Sequence, residues 1–259
     1  MGAIGSPGEL TLWLPYHRIG RTHRWAQASA MILNRFEFML MNNPLRAAVQ
    51  RHVEARRFLR MGGPQRGARA LEIGCGRGLG VELILDVFGA TQVDAFDLDP
   101  RMVALAQRRL SCRGSCVRLW VGDAAAINAP DAAYDAVFDF GIIHHVPNWR
   151  DVLVEIHRVL RPGGLLYAEE PLAGVLNHPL MYHLFAHPVR DRFEAADFRG
   201  ALRASGLIPS REEHLWHTMF WFVAAKPVTA QTVAPNGDPA TPTGNSRGRG
   251  GTTTGELNR

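Results

Sequence analysis

The chain of 259 residues is 46% hydrophobic and carries a formal net charge of +5. Its length predicts one large domain with additions, or one domain with a small cap. No apolar run is long enough to span a bilayer, the first residues lack the pattern of a signal peptide, and three cysteines make no disulfide framework; together these features predict a cytoplasmic protein.

The positive charge is concentrated at one end of the chain. Residues 1–69 hold 11 arginines against 3 glutamates, whereas residues 70–227 hold 15 basic and 19 acidic side chains. A nucleic-acid-binding protein carries its basic surface at the binding site. Here the basic excess lies outside the segment where a site is predicted below, so we expect a small-molecule partner and no nucleic acid.

The first 65 residues predict a helical cap or arm. Apolar residues recur at helical spacing over residues 22–41, and Asn43-Pro44 ends that helix. A second helix is predicted to end at Gly62-Gly63-Pro64 and to carry its apolar residues on one side: Leu45, Val49, Val53 and Phe58-Leu59. Because arginines occupy its other faces, an alternative is that residues 22–60 dock on an anionic membrane.

From residue 66 onward, short apolar strands alternate with helices. Strands are predicted at residues 70–73, 92–96, 117–121, 136–140 and 165–168, and two closing strands at 207–212 and 218–225. This alternation is typical of an α/β fold with a parallel sheet and helices on both faces. Residues 66–227 are predicted to form this domain, and residues 228–259, rich in Thr, Gly, Pro, Asn and Arg, to be disordered.

The stretch from Ala70 to Gly80 predicts a binding crevice. It combines an apolar strand, a turn with glycines at alternate positions and the start of a helix, and Glu72 lies at the end of the strand. Glycines let the backbone turn sharply and let a ligand approach it closely. Ligands of such sheets bind outside the carboxyl ends of the strands. A tight turn without a ligand is the alternative, because a lone glycine cluster is weak evidence.

An acidic residue follows this turn at the spacing that a ribose-binding site requires. Asp97 ends the second strand 23 residues after Gly74, close to the spacing of about 20 residues expected for a carboxylate that binds ribose hydroxyls. Asp99 and Pro100 are the predicted cap and first residue of the next helix. A dinucleotide fingerprint would need glycine at position 79, where Leu79 stands, so a nucleoside ligand without phosphates is favoured.

Five motifs of this domain strongly resemble those of class I S-adenosylmethionine-dependent methyltransferases, in the family's order and spacing, over about residues 68–226. They are residues 71–78 (LEIGCGRG), 96–100 (FDLDP), 122–124 (GDA), 134–138 (YDAVF) and 157–164 (HRVLRPGG). Within that family the resemblance points to the small-molecule branch that includes quinone-biosynthesis and sterol methyltransferases. It implies S-adenosylmethionine as the cofactor and a Rossmann-like, seven-stranded, mostly parallel sheet whose last strand is antiparallel.

The resemblance also implies which residues hold the cofactor. The methionine and ribose parts would lie against Glu72 and the backbone of Gly74, Cys75, Gly76 and Gly78, and Asp97 would hold the ribose hydroxyls. The remaining positions would surround the adenine and the methionine end: Leu98 packs on adenine, Asp123 and the Ala124 amide bind its edge, and Phe140 and Gly141 border the methionine. No metal site is predicted.

Candidate general bases follow strands four and five. His144 and His145 come after the fourth strand and Glu169 and Glu170 after the fifth, at the edge where acceptor and cofactor would meet. A base of this kind assists methyl transfer to a hydroxyl or a carbon acid. The motif of Asn or Asp, two prolines and an aromatic residue that methyltransferases of amide and base nitrogens share is absent at residues 139–142, which disfavours those substrates.

Residues 171–190 predict a substrate lid. Their Leu, Met, Tyr and Phe content favours an apolar or aromatic acceptor. His183 and His187 are four residues apart, but no further ligand accompanies them. The predicted function is therefore transfer of a methyl group from S-adenosylmethionine to O or C of a small apolar or aromatic metabolite. Alternatives are a lipid or quinone methyltransferase that docks peripherally on a membrane and, less favoured, a nucleic-acid methyltransferase or a non-catalytic cofactor-binding protein.

Overall fold

A seven-stranded sheet organises the part of the chain that the structure, a computed structural model, describes: residues 43–176, 192–216 and 218–228. Its strands are β1 Arg69–Ile73, β2 Gln92–Asp97, β3 Val117–Val121, β4 Tyr134–Phe140, β5 Leu160–Pro171, β6 Ile208–Leu215 and β7 Met219–Ala225. The spatial order is β3-β2-β1-β4-β5-β7-β6, and within this sheet β7 alone runs in the opposite direction to the other six strands. The predicted α/β fold with one reversed strand is confirmed.

Helices connect the strands and cover both faces of the sheet. They are α1 Pro44–Val49, a π-helical turn Gln50–Glu54, α2 Ala55–Gly62, α3 Leu79–Asp86, α4 Pro100–Arg109, α5 Trp149–Val159, α6 Ala173–Leu176 and α7 Ala195–Ala204, with 3₁₀ turns at Ser111–Cys116 and Ile143–His145. The predicted start of α4 is confirmed, since the Asp99 side chain accepts a hydrogen bond from the Arg101 nitrogen at 2.9 Å. The predicted helix at residues 22–41 lies outside the described residues.

Alternate residues of the buried strands build two hydrophobic cores, one on each face of the sheet. On one face Trp149 of α5 and Phe198 of α7 pack with their neighbours against β7. On the other face Phe58 of α2 and Phe88, two residues after α3, surround Tyr167 of β5, with ring centroids 5.7 and 5.6 Å from that of Tyr167. The sheet is thus covered on both sides, as a parallel sheet of buried strands requires.

The segment before β1 is anchored to the sheet through Tyr167. The Tyr167 hydroxyl accepts a hydrogen bond from the Gln65 side chain at 2.7 Å and donates one to the Gly63 carbonyl at 3.0 Å. Burial raises the pKa of Tyr167 to about 12, so the hydroxyl keeps the proton that it donates. The end of this segment, at Gly63 and Gln65, is therefore fixed to the sheet.

One expectation for this segment is wrong. The apolar residues Leu45, Val49 and Val53 do not share a side with Phe58, because they are 74%, 38% and 50% exposed while Phe58 is fully buried. Residues four apart drift around an α-helix by about 40° at each step. The π-helical turn Gln50–Glu54 further changes the angle between the exposed Leu45, Val49 and Val53 and the buried Phe58.

Strand β5 is longer than predicted. Leu160 pairs with Tyr134, the register then shifts, and Leu165 pairs with Ala136. At the other end the strand continues to Pro171, so that Glu169 and Glu170 lie inside the strand rather than after it.

Among the described residues, no helix has the length and apolar character needed to cross a bilayer.

Candidate active site

The glycine turn after β1 leaves an open backbone at the carboxyl edge of the sheet. Gly76 has a φ of +50°, and a Cβ atom added there would meet nothing within 4 Å. At Gly80, by contrast, an added Cβ would lie 1.9 Å from Oε1 of Glu72. The turn therefore has open space next to Gly76. At Gly80, the start of α3 packs directly against the Glu72 carboxylate.

Asp97 connects this turn to the end of β2. Its Oδ2 accepts a hydrogen bond from the Gly76 nitrogen and its Oδ1 accepts one from the Asp99 nitrogen, both at 2.9 Å. Burial raises the pKa of Asp97, and these backbone donors oppose that effect. A carboxylate has about four acceptor positions, so two remain for a ligand.

Glu72 is a buried carboxyl beside the same turn. It is 2% exposed, and its Oε2 is buried without a hydrogen-bond partner in the described part of the chain. Burial raises the pKa of Glu72 well above its ordinary value, and the charges of Asp97 and Asp139 raise it further. No described arginine or lysine forms an ion pair with Glu72, Asp97 or Asp139, so the turn borders a cluster of acidic side chains without a cationic partner among the described residues.

Two of the four base candidates are joined to each other. His144 Nδ1 lies 2.5 Å from Oε2 of Glu170, and the other Glu170 oxygen accepts a hydrogen bond from the Ile143 nitrogen at 2.6 Å. Glu170 is fully buried, and burial raises its pKa to about 8. The ring of His145 lies beside that of His144, with centroids 4.1 Å apart.

The other carboxylic candidate, Glu169, has a different environment. Strand alternation turns it to the opposite face of the sheet from Glu170. There its Oε1 lies 3.2 Å from the Arg46 guanidinium and its Oε2 accepts a hydrogen bond from Trp221 Nε1 at 2.9 Å. Arg46 also binds Glu54 at 2.6 Å. These contacts hold α1 and the π-helical turn against β5 and β7.

The residues predicted around adenine and the methionine end lie at the ends of β2, β3 and β4. Asp123 follows β3, and its Oδ1 accepts a hydrogen bond from the Ala125 nitrogen at 2.9 Å. Leu98 is half-buried and Ala124 buried. Phe140 ends β4, and the next residue, Gly141, has a φ of +84°. Cys75 differs from its neighbours, because its thiol is buried in the core below the turn and only its backbone can face a ligand.

Asp139 was not among the predicted site residues. It is fully buried in β4, and its Oδ1 accepts a hydrogen bond from the Ile142 nitrogen at 2.9 Å, while its Oδ2 has no hydrogen-bond donor within the described ranges. The signal available in the sequence was a single acid inside an apolar strand. Arg46, Glu54 and Trp221 were also missed, and each is distant in sequence from the residues that it contacts.

The acidic edge of the sheet fits S-adenosylmethionine. That molecule carries two positive charges, on its ammonium group and its sulfonium sulfur, and buried carboxylates require such compensation. The open turn at Gly76 and the free acceptor positions of Asp97 suit a ribose. Across the described residues, no group of three or more His, Cys, Asp or Glu side chains is placed to hold a metal ion; His183 and His187 lie outside those residues.

The fold and this arrangement of residues are similar to those of class I S-adenosylmethionine-dependent methyltransferase domains. Residues 71–168 match the family model described as a methyltransferase domain. This match agrees with the resemblance found in the motifs and with S-adenosylmethionine as the cofactor of the domain.

Curated methyltransferases are similar to part of this chain. The chain is 35% identical to a fatty-acid O-methyltransferase of Mycolicibacterium smegmatis over 104 residues, which are 40% of this chain and 37% of that protein. It is 32% identical to a demethylmenaquinone methyltransferase of Geobacillus kaustophilus over 120 residues, covering 45% of this chain and 51% of the relative. The chain thus matches only about two fifths to half of the length of such relatives.

Solved structures extend the similarity in fold beyond this segment. A methyltransferase dependent on S-adenosylmethionine from Aquifex aeolicus superposes with a TM-score of 0.59, covering 73% of this chain and 96% of the other. Sequence identity is 18%, so this likeness supports the fold alone.

Proposed function

We propose that this chain transfers a methyl group from S-adenosylmethionine to an oxygen or carbon atom of a small apolar or aromatic metabolite. The observation that carries the proposal is the acidic cluster beside the open turn at Gly76, in which Glu72 and Asp139 are buried, Asp97 is half-buried, and none has an ion-pair partner among the described residues. When bound, S-adenosylmethionine supplies a methyl group on a positively charged sulfur. Glu72 and the turn hold its methionine part, and Asp97 holds its ribose.

The remaining cofactor contacts come from the loops that follow β2, β3 and β4. Leu98 packs against adenine, while Asp123 and the Ala124 amide bind the polar edge of the base. Phe140 and Gly141 border the reacting end. Since these groups follow the ends of strands of one sheet, the sheet itself fixes their spacing.

His144 and Glu170 are the best supported of the four base candidates. Their 2.5 Å contact links an imidazole to a buried carboxyl at the carboxyl edge of the sheet, an arrangement that orients a histidine to accept a proton. Glu169 is held by Arg46 and Trp221 on the other face, so we assign it a structural role. His145 remains a second candidate through its position beside His144.

The acceptor class follows from the relatives and from the composition of the predicted lid. Relatives described as fatty-acid O-methyltransferase and demethylmenaquinone methyltransferase methylate apolar molecules. Most of the predicted lid, residues 171–190, lies outside the described residues, and its apolar composition supports an acceptor of the same kind.

Methyl transfer from radiolabelled S-adenosylmethionine tests the proposal directly. The full chain is incubated with a panel of fatty acids, quinols and phenols, and organic-phase radioactivity is measured, with an RNA and a protein mixture as further acceptors. Labelling of an apolar acceptor supports the proposal. Labelling of RNA or protein alone contradicts it, and cofactor binding without transfer to any acceptor favours the non-catalytic alternative.

A second candidate, methylation of a lipid or quinone at a membrane surface, is favoured by one observation. Leu45, Val49 and Val53 are exposed along the first helical segment, and Arg56 and Arg60 follow on the same exposed side. An apolar stripe beside arginines suits an anionic bilayer surface.

Vesicle co-sedimentation separates this candidate from the first. The full chain is mixed with vesicles of phosphatidylglycerol or of phosphatidylcholine, together with a variant carrying Leu45→Gln, Val49→Gln and Val53→Gln. Val154→Gln, at a 55% exposed residue of α5, is the matched control. If the chain docks on membranes, the wild type and the Val154→Gln control should sediment with the anionic phosphatidylglycerol vesicles, whereas the triple variant should stay in solution. Equal soluble fractions for all three proteins with both kinds of vesicle would exclude membrane docking.

A further inference from the structure

Strand β3 forms one edge of the sheet. In the described part of the chain it pairs with β2 alone, and it is accessible on both faces, since Val121 is 53% exposed and the Arg118 side chain 57%. We propose that β3 is an interaction surface for a second copy of this chain, which adds its own β3 antiparallel about a two-fold axis at Leu119. The inference is independent of the proposed function, since it concerns the edge of the sheet and no step of the reaction.

Backbone groups of alternate β3 residues point away from β2. The Gly122 nitrogen donates a hydrogen bond to the Asp97 carbonyl at 3.0 Å, so the residues two and four positions earlier also direct their backbone groups to β2. Val117, Leu119 and Val121 therefore direct theirs outward. The Val117 N–H is used by the turn before the strand, which leaves the carbonyls of all three residues and the N–H groups of Leu119 and Val121 for a further strand.

The opposite edge of the sheet is protected against such pairing. Strand β6 contains Pro209, which has no N–H group, and a register shift between Pro209 and Arg211 interrupts its ladder. Its middle carries the charged residues Arg211, Glu212 and Glu213 in succession. Proline, irregular pairing and charge are features that block strand addition at an edge. Strand β3, with the sequence VRLWV, has no proline or register shift and a single charge.

A two-fold axis at Leu119 makes β3 complementary to itself. Leu119 then lies opposite Leu119 of the second copy, and Val117 lies opposite Val121 of the second copy. Hydrogen bonds form in both directions between the two Leu119 residues, and from each Val121 N–H to the Val117 carbonyl opposite it. The three side chains share one face of the sheet. Since Val117 and Leu119 are half-buried and Val121 is exposed, the pairing removes apolar surface from water.

The other face of the strand fits the same register. Arg118 lies opposite Trp120 of the second copy, and a guanidinium on an indole is a favourable pair across two strands. Within one chain the Arg118 guanidinium already lies 4.9 Å from the centroid of the Trp120 ring. The two Arg118 side chains meet diagonally, but each is held by its own Asp94 at 3.0 Å. An axis one residue away would set Arg118 opposite itself or opposite Gly122, so the register at Leu119 is favoured.

Sedimentation velocity of the full chain measures the pairing. Between about 1 and 100 μM, the wild type should change from monomer to dimer, at twice the chain mass of 28.7 kDa, because a contact through one short strand is weak. Val121→Lys places a charge at each end of the junction and should lower the association constant about tenfold or more. Val154→Lys makes the same change at a 55% exposed residue of α5 and should leave it unchanged.

Cysteine cross-linking tests the register of the pairing. The background carries Cys112→Ser and Cys116→Ser, which remove the two exposed thiols. In it, Leu119→Cys places two thiols opposite each other, with Cα atoms about 5.5 Å apart, so mild oxidation should yield a disulfide-linked dimer. Val121→Cys is the matched control, because its two thiols would lie about 13 Å apart along the strands, and it should remain a single chain in non-reducing electrophoresis.

The outcomes of the two experiments decide the proposal. A wild type that stays monomeric at about 100 μM would overturn it, and so would a dimer that Val121→Lys leaves intact or that Val154→Lys weakens equally. Cross-linking of Val121→Cys without that of Leu119→Cys would overturn the two-fold axis at Leu119. If Leu119→Cys does not fold, the sedimentation series decides alone, since both lysine substitutions are at exposed positions.

Discussion

The Oδ2 atom of Asp97 lies 2.9 Å from the backbone nitrogen of Gly76. This hydrogen bond joins the end of β2 to the glycine turn after β1, and it comes from the carboxylate that we propose as the ribose ligand. The same side chain therefore shapes the turn and offers acceptor positions to the cofactor. A substitution at Asp97 should affect both.

Asp97→Ala is expected to weaken binding of S-adenosylhomocysteine about ten- to a hundredfold, because charged hydrogen bonds contribute roughly 1.5–3 kcal/mol. Isothermal titration calorimetry of the full chain measures the change. Asp131→Ala removes a carboxylate that is 78% exposed and pairs with Arg158, and it should leave the dissociation constant unchanged. Equal affinity of wild type and Asp97→Ala would refute the assignment of Asp97.

Gly80→Ala tests the close approach of α3 to Glu72. The added methyl group would lie 1.9 Å from Oε1 of Glu72, so the buried carboxylate or the helix must move. We expect a loss of about 1–3 kcal/mol in the free energy of unfolding together with weaker cofactor binding. Urea denaturation gives the first quantity and calorimetry the second.

Gly200→Ala is the matched control for that substitution. Gly200 lies inside α7, and an added Cβ there meets nothing within 4 Å. Alanine should stabilise this helix by about 0.5–1 kcal/mol and leave cofactor binding unchanged. If both glycine variants lose the same stability, the contact with Glu72 is not the cause.

Arg46→Ala tests the anchor between α1 and the sheet. It leaves Glu54 and Glu169 buried together without their cation, and breaking a buried ion pair in this way costs about 3–5 kcal/mol. Arg113→Ala removes an exposed pair with Asp86 and should cost about 1 kcal/mol or less. Chemical denaturation compares the two, and similar losses would mean that the buried anchor contributes no more than a surface pair.

The stability of the fold should fall as pH rises from about 5 to 8. Burial raises the pKa of Glu170 to about 8, whereas in the unfolded chain an ordinary glutamate loses its proton near pH 4.3. Between these values the folded state holds the proton and the unfolded state does not. The free energy of unfolding therefore decreases by up to about 1.4 kcal/mol per pH unit for this group.

Glu170→Gln should remove that contribution. Denaturation curves recorded at several pH values would show a smaller pH slope for the variant than for wild type, since glutamine does not titrate. The raised pKa values of Glu72, Asp97 and Asp139 act in the same direction and maintain a residual slope. An unchanged slope in Glu170→Gln would show that Glu170 is ionised in the folded state throughout this range.

The sequence predicted the sheet and the glycine turn well because both depend on local patterns. Apolar runs mark strands whatever their neighbours are, and Asp99-Pro100 fixes the start of α4 through contacts within three residues. The relation between Glu169 and Glu170 is different. Alternation along a strand separates two consecutive residues onto opposite faces, but only the fold shows that one face holds Arg46 and the other holds His144.

Asp139 illustrates the same limit. A buried acid in an apolar strand is visible in the sequence, yet its meaning depends on the carboxyl of Glu170, which lies on the neighbouring strand and 31 positions later in the chain. The prediction that Leu45, Val49 and Val53 share a buried side with Phe58 was wrong. It relied on a regular helical spacing, which the π-helical turn Gln50–Glu54 interrupts.

The anchoring of Tyr167 sets a boundary for any shortened form of this protein. The family match begins at residue 71, but a fragment cut there would lose Phe58, which covers the Tyr167 ring, and Gln65, which binds its hydroxyl. It would also lose Arg46, the cation beside the buried Glu169. A fragment that keeps these contacts must therefore start no later than Asn43, the N-cap of α1, well before the family match.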